Sequence, residues 1–192
     1  MVAWLILVRK KPAYQILGIF FAVSAFLKLL TLVTARLHIH NMPLYHLLAI
    51  TEVVLVYCFY SRLMFNKIYV PGAALLILFN LANSIFIQKI STFNSWAWSI
   101  NMVVLMIIGI TYLFKLYNNE NHDSPLEERP DFIITAGWLM YASGSLFTYL
   151  LGTSILSGKA EGFFHNAWIF QSVSNLFKNI LISYGLWRAR LD

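Results

Sequence analysis

Residues 14–36 read YQILGIFFAVSAFLKLLTLVTAR. A helix needs about 20 apolar residues to cross the hydrocarbon core of a bilayer. This run meets that length, holds one interior charge, Lys28, and closes on Arg36. Runs of the same kind recur near 43–64, 68–88, 95–116, 132–152 and 165–187. None shows the alternating ten-residue pattern of a barrel strand. The sequence therefore predicts an all-α integral membrane bundle of six transmembrane helices, forming a single domain over residues 1–192. Pro43 and Pro71 fall in the first turns of the second and third runs, where a missing N–H costs nothing. The segment 117–131, YNNENHDSPLEERPD, is the polar loop of this pattern.

Composition agrees. The chain is 59% hydrophobic and 11% charged, with a mean hydropathy of +0.69, whereas a soluble domain carries about 25% charge. The net charge of +6 does not point to nucleic acid, because the basic residues sit at the ends of the apolar runs. There they anchor and orient helices. The single cysteine, Cys58, lies inside a predicted span, so neither a disulfide nor a cysteine metal site is expected. The opening MVAWLILV is apolar but precedes its basic residues, the reverse of a signal peptide's order. Residues 1–8 are compatible with the tail of an additional, truncated seventh helix.

Orientation follows from Lys and Arg. Arg9, Lys10, Lys11, Arg62, Lys67, Lys115, Arg129, Arg188 and Arg190 fall on one side of the predicted bundle, and Arg36, Lys89 and Lys159 on the other. Positive charge collects on the cytoplasmic side. The expectation is a multipass protein of a bacterial inner (cytoplasmic) membrane, with both termini and the 117–131 loop cytoplasmic.

Three charges lie deep in the predicted spans: Lys28, Glu52 and Lys178. A charge at mid-bilayer costs at least about 2.5 kcal/mol and usually faces the bundle interior. Lys28 lies eight residues before Arg36 and Glu52 nine after Pro43. Antiparallel neighbours would bring them to similar depth, as a Lys28–Glu52 ion pair. That pair reads either as a brace or as a proton or ligand site. In the last run Trp168, Gln171, Ser172, Asn175, Lys178, Asn179 and Ser183 make one polar stripe, which in lipid must face protein or water. Asn80, Asn83 and Ser84, then Asn94 and Asn101, then Tyr141, Ser145 and Thr148 offer further polar groups. Lys28, Glu52, Asn80, Asn101, Tyr141, Asn175 and Lys178 are therefore the candidate ligand-binding residues of an outward-facing pocket. The plainer alternative is hydrogen-bond glue between helices. Gly144, Thr148 and Gly152 form a small-residue row that suits either a dimer or packing inside the bundle.

His38, His40, His46 and His165 cluster at the outer side, and imidazole is a common metal ligand. Their spacing matches no established metal motif, so no metal and no cofactor are expected. No HExxH, GxSxG, P-loop or kinase motif is present, which leaves enzyme activity open without a catalytic residue to assign. FNLANSIFI and SNLFKNILIS echo one another and align Asn80 with Asn175. A small secondary transporter built on a 3+3 inverted repeat is thus the alternative function. An intramembrane metal-dependent enzyme using the histidines is a second.

Phe93-Asn94-Ser95, the run Gly137-Trp138-Leu139-Met140-Tyr141-Ala142-Ser143-Gly144-Ser145-Leu146-Phe147, Asn175, Asn179 and Gly185-Leu186-Trp187, with Glu52, make up a further pattern. Over roughly residues 43–190 the chain resembles a Bacteroidetes-type multipass membrane family. That family is itself similar to the membrane-embedded sensor modules of bacterial signalling systems. The resemblance implies a sensor of a small polar or anionic ligand, working with the lipid bilayer and a signalling partner such as a sensor kinase. It also implies a further helix at the amino end, and it supplies no catalytic residue.

Overall fold

The computed structural model describes residues 12–118, 125–158 and 166–190. Its regular elements are all helical. Helix α1 runs Pro12–Arg36, α2 Met42–Phe65, α3 Val70–Ala82, α4 Ser95–Tyr117, α5 Pro130–Leu150, α6 Gly152–Leu156 and α7 Trp168–Arg188. A wide π-helical turn, Asn83–Ile87, extends α3, and a 3-10 turn, Leu126–Glu128, precedes α5. Residues 1–8, the charges Arg9, Lys10, Lys11 and Lys159, His165, and 119–124 of the polar loop lie outside the described residues.

Local chemistry sets the boundaries. Proline occupies the first turn of α2, α3 and α5. Helix α1 ends where His38 turns left-handed at φ 55. Helix α2 ends at Asn66, also left-handed, whose N–H donates to the Arg62 carbonyl; asparagine is among the few residues that take this conformation readily. Gln88 closes the turn between α3 and α4. Its Oε1 accepts from the Trp96 N–H at 3.0 Å, and its Nε2 donates to Ser95 Oγ at 3.0 Å.

Successive long helices pack antiparallel, α1 on α2, α2 on α3, α4 on α5 and α5 on α7, with α2 also against α4. One end of the bundle carries Arg36, Met42, Ser95, Leu150 and Trp168, called below the Arg36 end. The other carries Pro12, Phe65, Tyr117, Pro130 and Arg188. This second end is knit tightly. Tyr14 donates to Asp131 at 2.5 Å, Tyr60 leans on Tyr112, and the Lys115 ammonium donates to the Met64 carbonyl. Arg188 pairs with Glu128 at 2.9 Å, and Arg129 donates to the Leu116 carbonyl. The 128–131 edge of the polar loop is thereby docked onto the bundle.

Close approach of α5 and α7 rests on glycine. A Cβ on Gly144 would overlap the Ser174 side chain, and one on Gly137 would crowd the Lys178 carbonyl. Gly144 thus faces a neighbouring helix of the same bundle.

The outward surface is apolar. Ile19, Phe26, Leu29 and Leu32 of α1, Leu75, Leu78 and Phe86 of the α3 hairpin, and Ile169, Leu176 and Ile180 of α7 are all exposed. Soluble monomers rarely show apolar surface on this scale. Four helical segments, Pro12–Arg36, Met42–Phe65, Val70–Ile87 and Ser95–Tyr117, are long and apolar enough to cross a membrane. Helices α5 and α7 have 21 residues each, about 30 Å at 1.5 Å per residue.

Candidate functional site

Five helices enclose a cavity of about 330 Å³ at the Arg36 end. Lys28 and Thr31 of α1, Tyr45 and Glu52 of α2, Trp98 of α4, Tyr141 and Tyr149 of α5, and Trp168, Gln171 and Asn175 of α7 line it, with Phe93 from the preceding loop. Helical periodicity explains the set. Tyr141 and Tyr149 are eight residues apart, Tyr45 and Glu52 seven, and Gln171 and Asn175 four, so each pair shares a face. Trp98 stacks on Tyr149 at 4.8 Å, and Phe93 meets Tyr45 and Trp168 edge-on. Gln171 Nε2 donates to the Tyr149 hydroxyl at 3.2 Å, which lies 3.1 Å from the Tyr141 hydroxyl. Thr148 holds α5 to the start of α7 by donating to the Ala167 carbonyl at 2.9 Å.

Charge is graded along the cavity. Lys28 stands on its exposed side. Glu52 is 2% exposed, and its Oε1 has no hydrogen-bond partner. A buried carboxylate oxygen without a donor is costly, which makes it the chemically unfinished group of the site. Asn175 Oδ1 and Trp98 Nε1 are likewise buried without partners. The cavity therefore offers acceptors, a donor, a cation and aromatic faces around one space.

Lys178 lies beside this space and does not line it. Its ammonium is enclosed by the rings of Tyr141 at 3.8 Å, Trp138 at 4.8 Å and Phe20 at 5.6 Å from the centroids. It interacts electrostatically with both Glu52 and Lys28. A cation over desolvated rings gains about 2 kcal/mol or more, so the cage replaces much of the lost hydration. The sequence did not reveal this cage, because its rings come from α1 and α5 and close on a lysine of α7.

The expected Lys28–Glu52 ion pair does not form. Among the described residues the ion pair is Arg188–Glu128. A long lysine stem lets its head reach a more hydrated position, and Lys28 stays exposed while Glu52 is buried. Asn80 and Asn101, expected in the pocket, face each other instead. Each Nδ2 donates to the other's Oδ1 at 3.1 Å, and Asn101 also donates to the Ala49 carbonyl. They clamp α3 and α4 to α2. Of the seven candidate residues, Lys28, Glu52, Tyr141 and Asn175 line the cavity.

The histidines do not converge. His46 is buried and uses both ring nitrogens, on Ser84 Oγ at 2.6 Å and the Thr92 carbonyl at 2.9 Å. It fastens the α3–α4 turn to α2. His38 and His40 are exposed, and His165 lies outside the described residues. Among the described residues no three His, Cys, Asp or Glu side chains come together. The aromatic wall is what sequence reading missed. In the sequence Trp98, near the start of its apolar run, fits an interfacial belt, and Tyr149 fits packing inside the bundle.

No family model, curated protein or solved structure matches the chain, and the functional reading rests on this geometry.

Proposed function

We propose that the protein is a six-span protein of a bacterial inner membrane that captures a small polar ligand in the cavity at the Arg36 end and signals its occupancy to a partner such as a sensor kinase. The observation that carries the reading is Glu52, a nearly fully buried carboxylate with an unpartnered oxygen in an aromatic-walled space. Such groups mark ligand sites in membrane proteins because their cost needs a compensating gain. Helices α5 and α7 complete the six spans, their polar faces turned inward to the cavity. Arg62, Lys67, Lys115, Arg129 and Arg188 lie at the end opposite the cavity, which supports a cytoplasmic placement of that end and both termini, and an outward-facing cavity.

Mass spectrometry of a denaturing extract tests the binding reading. A small molecule should accompany the wild type and be absent from Glu52→Gln. An extract identical for the two would overturn it. In a Cys58→Ser background, an impermeant maleimide should label His40→Cys in intact cells and spare Glu127→Cys; the reverse pattern would invert the orientation. Accumulation of the identified molecule inside proteoliposomes would replace the sensor by a transporter.

A further inference from the structure

Lys28 and Glu52 project from adjacent helices into one cavity, bear opposite charges, and do not pair. We propose that the ligand is a zwitterion, with a protonated amine for Glu52, an anionic group for Lys28, and an apolar remainder against the rings. This rests on the ligand-binding reading above and specifies its chemistry.

Each simpler ligand leaves one group unanswered. An anion alone would meet Lys28 and leave Glu52 Oε1 without a donor, with the ring-enclosed Lys178 as its cationic neighbour. A cation alone would answer Glu52 and be opposed by Lys28 and by the nearby Lys178. Lys178 does not take the anionic group, because three rings enclose its ammonium and it does not line the cavity. Asn175 Oδ1 adds a buried acceptor without a partner, suited to an ammonium N–H beside Glu52. Trp98, Tyr149 and Trp168 supply flat apolar faces. At about 330 Å³ the space is at the lower end of ligand pockets. It suits one amino-acid-sized molecule or one phospholipid headgroup, two sources of the same ammonium–anion chemistry.

Calorimetric titration of the purified full chain separates these cases. The probes are L-phenylalanine, 2-phenylethylamine, which lacks the carboxylate, and 3-phenylpropionate, which lacks the amine. L-phenylalanine should bind at least about tenfold more tightly than either single-charge analogue, as expected for losing one charge-assisted contact. Glu52→Gln should weaken L-phenylalanine and not 3-phenylpropionate. Lys28→Gln should weaken L-phenylalanine and not 2-phenylethylamine. Native mass spectrometry from nanodiscs tests the other source. Retention of phosphatidylethanolamine over phosphatidylglycerol by the wild type, lost in Glu52→Gln, would assign the zwitterion to a lipid headgroup. A single-charge analogue that binds as tightly as L-phenylalanine would overturn the zwitterion and leave the pocket. Binding of no probe and no lipid preference would overturn both readings.

Discussion

The ammonium of Lys178 lies 3.8 Å from the centroid of the Tyr141 ring. The same ring's hydroxyl faces Tyr149, so Tyr141 joins the enclosed charge to the wall of the cavity. Its two contributions are separable. Tyr141→Phe keeps the ring and loses a hydrogen bond, a loss of about 1 kcal/mol. Tyr141→Leu also removes a desolvated cation–π contact and should lose about 2 kcal/mol more. Thermal unfolding in one detergent compares them. Equal shifts would mean that the ring does not stabilise Lys178.

Lys28→Gln discriminates a free cation from a helix brace. Without an ion pair, its removal should change stability by less than about 0.5 kcal/mol. Breaking a buried Lys28–Glu52 pair would instead cost about 3–5 kcal/mol. Denaturant unfolding of the two proteins in mixed micelles reads the difference.

Asn80 and Asn101 form a closed amide pair. A double-mutant cycle with Asn80→Ala and Asn101→Ala should give a coupling of about 0.6–2 kcal/mol. Ligand affinity in either single variant should stay near wild type, since neither residue lines the cavity. A large affinity loss at unchanged stability would return the pair to the binding site.

Gly144→Ala should cost about 1–3 kcal/mol by overpacking, because the new methyl overlaps Ser174. Ser174→Gly in the same chain should recover most of that loss. If the pair shows no rescue, α5 and α7 do not meet at this point. Subunit mass by light scattering should be the same for Gly144→Ala and wild type, since Gly144 faces α7 of its own chain.

Helices were readable in the sequence because apolar length and proline position are local properties. Pro43 and Pro71 sit in first turns as their missing N–H requires. Lys28, Glu52, Tyr141 and Asn175 were readable as a group because a polar side chain inside an apolar run has few places to face. Asn80 and Asn101 satisfy the same criterion and face each other. Polarity alone does not say whether a group meets a cavity or another amide. Trp98 and Tyr149 escaped for the opposite reason. An aromatic residue near a helix end fits an interface, a core or a cavity wall equally well, and only tertiary packing chooses. The fate of Lys178 depended on Phe20 and Trp138, far away in sequence and adjacent only once α1 and α5 meet.

The rings of Phe20, Trp138 and Tyr141 around Lys178 would have an electrical consequence in the proposed membrane placement. A membrane potential acts on each elementary charge with about 2.3 kcal/mol per 100 mV, and it falls mainly across whatever material lacks mobile ions. With the Arg36 end facing outward, as proposed, water and salt in the cavity would carry the outside potential down to Tyr141. The remaining thickness, knit by Tyr14–Asp131 and Tyr60–Tyr112, would act as the insulator. In the proposed membrane placement the field would concentrate on that layer, with Lys178 at its boundary with the cavity.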